Sequence, residues 1–138
     1  PTTQKVYTAA DHSGWLYRYD VNTLEEERGI FAIQGIRGVL PLPSTGSSDL
    51  VAAYAYSSGE IVLIDMNIPK VLNRWIAGPM LRNLRLDCDS RYIVFATSQG
   101  LGRIEWNTTR RQFSLETSKD NPPNWLTQFV LFWQRWAG

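Results

Sequence analysis

Ser58-Gly59-Glu60-Ile61-Val62-Leu63-Ile64-Asp65 follows directly on the apolar run Val51-Ala52-Ala53-Tyr54-Ala55-Tyr56. That order reads as a strand, a tight Ser-Gly turn and a returning strand closed by an aspartate. The same phrase stands upstream as Ser13-Gly14-Trp15-Leu16-Tyr17-Arg18-Tyr19-Asp20. Downstream, less well kept, it is Gln99-Gly100-Leu101-Gly102-Arg103-Ile104-Glu105-Trp106-Asn107. The turn glycines lie at 14, 59 and 100, steps of 45 and 41 residues. A hairpin recurring at that period marks stacked β units, each burying its faces on its neighbours.

Reading outward, the repeat extends in both directions. Residues 4–12 form a strand, and Trp15–Asp20 returns with Leu16 and Arg18 on one face and Trp15, Tyr17 and Tyr19 on the other. Glu25-Glu26-Glu27-Arg28 opens an outer strand that Ile30–Ile33 completes; its three acids are expected to be solvated charges that keep the edge from pairing. Val39-Leu40-Pro41-Leu42 starts the next unit, and Pro43-Ser44-Thr45-Gly46-Ser47-Ser48 is a long hairpin loop. An outer strand around Val71–Ile76 follows. Leu81–Leu86 alternates cleanly and begins a third unit, with Arg91–Thr97, Leu101–Trp106 and Gln112–Leu115 after it. From Gly100 to Asn107 the chain is one residue longer than from Gly59 to Asp65, so a bulge is expected at Leu101-Gly102.

The expected fold is all-β: an incomplete β-propeller of about two and three-quarter four-stranded blades, with a short C-terminal amphipathic helix. Residues 1–35 supply a partial blade, 36–78 and 79–118 a blade each, and 119–138 a proline-rich turn and the helix. Propellers close with about four to eight blades. Further blades are therefore expected from a longer chain or from another one, and the opening Pro1 fits an excerpt or a processed product.

The blade from Leu81 to Leu115 resembles a WD40-type repeat. It has an alternating apolar strand, an Asp-Ser-Arg-Tyr turn (Asp89 to Tyr92), the small-residue strand Val94-Phe95-Ala96-Thr97, a glycine turn, and Trp106-Asn107 where the family has Trp-Asp. The resemblance covers roughly residues 4–118. It departs from the family at Tyr19-Asp20 and Ile64-Asp65, and at Gln34-Gly35 and Ala77-Gly78, which stand in place of the family's Gly-His. It implies that the loops handing one blade to the next, with the turn after each second strand, form one face that commonly grips peptides.

Arg37 and Arg82 lie 45 residues apart, each where an outer strand hands over to the next inner strand. Arginines at such a place suit carboxylate or phosphate groups through paired hydrogen bonds; the alternative is that each bonds a carbonyl or acid between blades. Asp11, His12, Ser57 and Gln99 are expected to share that face as partner-binding residues.

In the tail, Lys119-Asp120-Asn121-Pro122-Pro123 breaks the β pattern and Asn124 is a good helix N-cap. On a helical wheel Trp125, Phe129, Trp133 and Trp136 share one side, giving a candidate docking helix that packs within the assembly or into a partner's groove. Its polar side is not rich in Lys or Arg, which disfavours a membrane contact.

Composition narrows the function classes. Hydrophobic residues at 43% and charged residues at 20% describe a folded domain, and the six Trp, six Tyr and five Phe suit packed sheets. A net charge of +1 gives no pull toward nucleic acid or anionic membrane. One cysteine, Cys88, builds neither a disulfide framework nor a cysteine metal site, so the expected compartment is cytoplasmic or nuclear. His12 is the only histidine, and Asp11 beside it on a strand points to the opposite face. No phosphate-cradling glycine loop, HExxH or CxxC is present. Asn107-Thr108-Thr109 fits the glycosylation pattern, which short sequences meet by chance.

The expectation is a non-catalytic protein-interaction scaffold without metal or cofactor. Its partners would be a protein or peptide, or the remaining blades. Two alternatives stay open. One is a propeller-type enzyme or carbohydrate-binding module, which needs Asp11, His12 and Trp15 to converge on a small pocket. The other is a purely structural segment of a complex.

Overall fold

A computed structural model describes residues 4–10, 12–43, 46–107 and 112–116, the last five and residues 106 and 107 by their backbone alone. The described residues form eleven strands in three antiparallel sheets. The first sheet holds β1 (Lys5–Ala10), β2 (Trp15–Asp20) and β3 (Glu26–Phe31), in that order. The second runs β4 (Ile36–Pro41), β5 (Leu50–Ala55), β6 (Glu60–Asp65), β7 (Lys70–Ile76). The third repeats this meander with β8 (Arg82–Leu86), β9 (Tyr92–Thr97), β10 (Gly100–Asn107) and β11 (Gln112–Glu116). The expected helix at Trp125, Phe129, Trp133 and Trp136 lies outside the described residues.

The sheets stack through two apolar layers. Leu16 and Ile33 meet Ile36, Val51, Ala53, Ala55, Val62 and Ile64 between the first and second sheets. Leu50, Ala52, Tyr54, Ile61 and Leu63 meet Leu84, Ile93, Phe95 and Ile104 between the second and third. Both faces of β5 and β6 are therefore covered, which is why these strands read as unbroken apolar runs and not as alternation.

The repeated turn has a repeated physical cause. Gly14 N–H donates to the Ala10 carbonyl and Gly59 N–H to that of Ala55. The glycine carbonyls in turn accept from Ala32 N–H at 2.9 Å and from Ala77 N–H at 2.7 Å. The hairpin tip is thereby pinned to the end of its own outer strand, and that contact leaves no room for a Cβ. One built on Gly59 would lie 1.7 Å from the Gly78 carbonyl oxygen, and one on Gly14 2.6 Å from that of Ile33. Both glycines also hold positive φ, +67° and +75°, where L-residues are strained. The aspartates that close the second strands cap the next turn: Asp20 accepts from Asn22 and Thr23 N–H, and Asp65 from Asn67 and Asp49 N–H.

The third hairpin departs from the expected alignment. β9 and β10 pair without interruption from Gly100↔Thr97 to Glu105↔Tyr92, so there is no bulge at Leu101-Gly102. The additional strand residue is absorbed by a shorter turn. Only Ser98 and Gln99 separate β9 from β10, against Tyr56 to Gly59 between β5 and β6. Gly100 thus opens the strand and does not sit where Gly59 sits. Gly102 then falls beneath Phe95, whose ring would be 2.2 Å from a Cβ at that position.

Candidate functional site

Bulges do occur, at the starts of the two strands that open the second and third sheets. In the β4/β5 pairing the register shifts between Ile36 and Gly38, leaving Arg37 as the extra residue. In the β8/β9 pairing it shifts between Arg82 and Leu84, leaving Asn83 as the extra residue, at φ 51°. A bulge re-aims the side chains around it. Here the two bulges flank one cleft of about 590 Å³, lined by Gly35, Arg37, Tyr54, Tyr56, Ser57, Leu81, Arg82 and Asn83.

Each lining group is placed by a local feature. Tyr54 lies on β5 with its ring over Gly38, whose missing side chain makes the space: a Cβ there would be 2.7 Å from the phenolic oxygen. Tyr56 and Ser57 belong to the four-residue turn between β5 and β6, and Leu81 N–H donates to the Tyr56 carbonyl at 3.1 Å, tying the loop from the second sheet to that turn. Met80 and Asn83, both at positive φ, mark the strained path of the chain between those sheets. Burial holds the Tyr54 phenol above its ordinary range; the charge of Arg37, a hydrogen bond from Asn83 N–H and the charge of Arg85 oppose that shift. No acidic side chain lines the cleft, and Arg37 and Arg82 form no ion pair among the described residues.

Of the six residues expected on this face, three meet at the cleft: Arg37, Arg82 and Ser57. Gln99 lines a separate small recess of about 60 Å³ with Ala77, Phe95, Thr97 and Gly100 to Gly102. His12 is exposed in the first hairpin turn, where Ser13 bonds the Ala10 carbonyl and Trp15 N–H. Asp11 lies outside the described residues. Trp15 is 40% exposed and stacks on Tyr17, centroids 6.1 Å apart, away from the cleft. Tyr54, Tyr56, Leu81 and Asn83 were not expected here. Tyr54 and Tyr56 are hidden in sequence inside an apolar run, although two phenols among Val and Ala ask for polar partners at their hydroxyls.

A second polar cluster ties the first sheet to the second. Arg18, on the buried face of β2, donates through Nε to Glu27 at 2.9 Å and through Nη1 to Asp49 at 2.6 Å and Asn67 at 2.7 Å. Tyr7 donates its hydroxyl to Asp49, and Lys5 its ammonium to Glu27 at 2.6 Å. All three acids are exposed as expected, and Glu27 is in addition an ion-pair partner of Lys5 and Arg18. Burial pulls the Arg18 guanidinium down, but Asp49 and Glu27 outweigh it and hold the group above its usual value. Among the described residues no group of three His, Cys, Asp or Glu side chains is placed to hold a metal ion.

No protein-family model matches the chain, and no curated protein matches it. Solved structures do. A functionally unknown protein from Desulfotomaculum acetoxidans DSM 771 superposes with a TM-score of 0.60 at 15% identity, over 83% of this chain and 37% of that one. Dihydro-heme d1 dehydrogenase NirN, in complex with DHE, gives 0.63 at 22% identity, over 82% of this chain and 23% of its own. A putative 6-phosphogluconolactonase from Bacteroides fragilis NCTC 9343 gives 0.66 at 14%, over 80% and 34%. This chain spans between about a quarter and somewhat over a third of each of these proteins, and at such identities what it shares with them is the fold.

Proposed function

We propose that the three sheets are blades of a larger β-propeller and that the chain acts as a non-catalytic binding scaffold, with the Arg37–Arg82 cleft as its anion-recognising surface. The observation that carries this reading is the convergence of two arginines, 45 positions apart in sequence, on one cleft that no carboxylate lines among the described residues. Arg18, which joins two sheets, has Glu27 and Asp49 beside it, whereas Arg37 and Arg82 form no ion pair among the described residues. Arg37 and Arg82 instead present planar forks of donors that match carboxylate and phosphate oxygens. Two neighbouring like charges repel each other, so an anion between them relieves that repulsion on binding.

The test is fluorescence anisotropy with a labelled glutamate-rich peptide and its phosphoserine counterpart. Changing Arg37→Gln and Arg82→Gln together should abolish binding of whichever peptide binds, with the melting temperature changed by less than about 3 °C. Equal loss of binding and stability would return both arginines to a structural role.

A further inference from the structure

We infer that the group bound between Arg37 and Arg82 is a phosphate monoester dianion, gripped by both guanidinium forks and by the hydroxyls of Tyr54 and Ser57. This rests on the anion-binding reading above and narrows it to one chemistry.

The donor count makes the distinction. A carboxylate has two oxygens, and two bidentate arginines already saturate them. In this cleft Ser57 and Tyr54 add two hydroxyls that a carboxylate would leave without an oxygen. A phosphate monoester has three terminal oxygens and close to two negative charges at neutral pH. It can accept from both forks and both hydroxyls at once.

Tyr54 is the discriminating group. Its hydroxyl packs against Gly38 at the first bulge and carries a proton that a phosphate oxygen can accept. A phenol is neutral at neutral pH, so Tyr54 is a donor there and never a second anion in the cleft. Among the described residues no acid lines the cleft to repel a dianion or to compete for its donors. The volume, about 590 Å³, is far larger than a phosphoryl group, and the half-buried Tyr56 ring offers apolar surface for whatever carries it.

The experiment is isothermal titration of the 138-residue chain with O-phosphoserine, glucose 6-phosphate, a phosphoserine peptide, glutarate and the matching glutamate peptide. Phosphate monoesters should bind at least about tenfold tighter than their carboxylate counterparts, and more weakly as pH falls through the second phosphate pKa near 6. Tyr54→Phe should weaken the phosphate ligands by about tenfold and leave the carboxylates within about twofold. Ser57→Ala, at an exposed turn residue, makes the same test should the phenylalanine variant fold poorly. A phosphoserine peptide binding tighter than both small esters would identify a phosphorylated protein as the source; equal affinities would identify a small ester. Carboxylates binding as well as phosphates overturns the inference and leaves the anion-binding reading standing. No binding of either kind overturns both.

Discussion

Arg18 Nη1 lies 2.6 Å from Asp49 Oδ2, across the joint between the first and second sheets. The pair is the centre of a chain of contacts that runs from Lys5 through Glu27 and Arg18 to Asp49, Asn67 and Tyr7. Removing one member of a buried pair costs more than the pair contributes, because the other charge stays behind without its partner. The Arg18 side chain is 8% exposed and Asp49 20%, so some water relieves the residual carboxylate. Arg18→Met is expected to lower the unfolding free energy by about 3 kcal/mol in urea titration. Asp49→Ala should cost clearly less in the Arg18→Met background than in the parent chain, a coupling of about 1 kcal/mol or more. Strict additivity would show that the contact carries no energy.

The same cluster sets a pH dependence at both ends of the scale. Glu27 is held below its ordinary value by Lys5 and Arg18, and Asp20 by hydrogen bonds from Thr23 and Asn22 N–H. Depressed folded-state values mean that their stabilisation is present above the usual carboxylate pKa, near 4, and is lost as pH falls through the folded values. Tyr7 shifts the other way, raised first by burial and then by its bond to Asp49. Its contribution is complete below the ordinary tyrosine value, near 10, and is lost as pH rises above it. Tyr54 is raised by burial and adds to the same limb. Urea unfolding from about pH 8 to 11 should show stability falling above pH 10, and Tyr7→Phe should flatten that fall. A variant that keeps the full slope would remove Tyr7 as its cause.

The periodic elements were legible in sequence, and the joints were not. Alternation along Trp15–Asp20 places Leu16 and Arg18 on one face, and the structure buries that face against the second sheet. The repeat of Gly14 at Gly59 marks a turn whose tip must approach another carbonyl. Gly100, at φ +130°, opens a strand and Gly102 lies beneath the Phe95 ring, while Gly59 holds a turn tip; a glycine reads alike in all three places, and only the pairing register separates them. In the cleft, Arg37, Arg82 and Ser57 follow from the repeat spacing, whereas Tyr54 and Asn83 depend on bulges that no local pattern announces. The Arg18 partners Asp49 and Asn67 lie 31 and 49 positions away, beyond any local pattern, though an arginine on an apolar face demands acids somewhere.

Two glycines with nearly the same φ separate strain from collision. Gly35, at +71°, has nothing within 4 Å of a built Cβ, while Gly59, at +67°, has the Gly78 carbonyl oxygen at 1.7 Å. Gly35→Ala should therefore cost about 1 kcal/mol, the backbone term alone. Gly59→Ala must also break the Ala77 N–H bond to the turn, 2.7 Å long, and should cost about 3 kcal/mol or more. Thermal melts of the two variants side by side give the answer. Similar losses would mean that the hairpin tip moves away from the outer strand at little expense.

The open face of the first sheet bears on the proposed ring. In the second sheet the face carrying Val51, Ala53, Ala55, Val62 and Ile64 is almost fully buried, at 0 to 1% exposure, because the first sheet lies on it. The corresponding face of the first sheet carries Val6, Trp15, Tyr17, Tyr19 and Phe31, brought side by side by the β1/β2/β3 register. There Val6 and Trp15 are 40% exposed and Phe31 47%. A blade-like stack requires a further sheet against these rings. Light scattering of the isolated chain is expected to give a mass above the 15.8 kDa of one copy. Trp15→Lys with Phe31→Lys should shift it toward that value, with the cooperative melt retained. A cooperative monomer for the unaltered chain would show that three sheets suffice, and the larger ring would have to be given up.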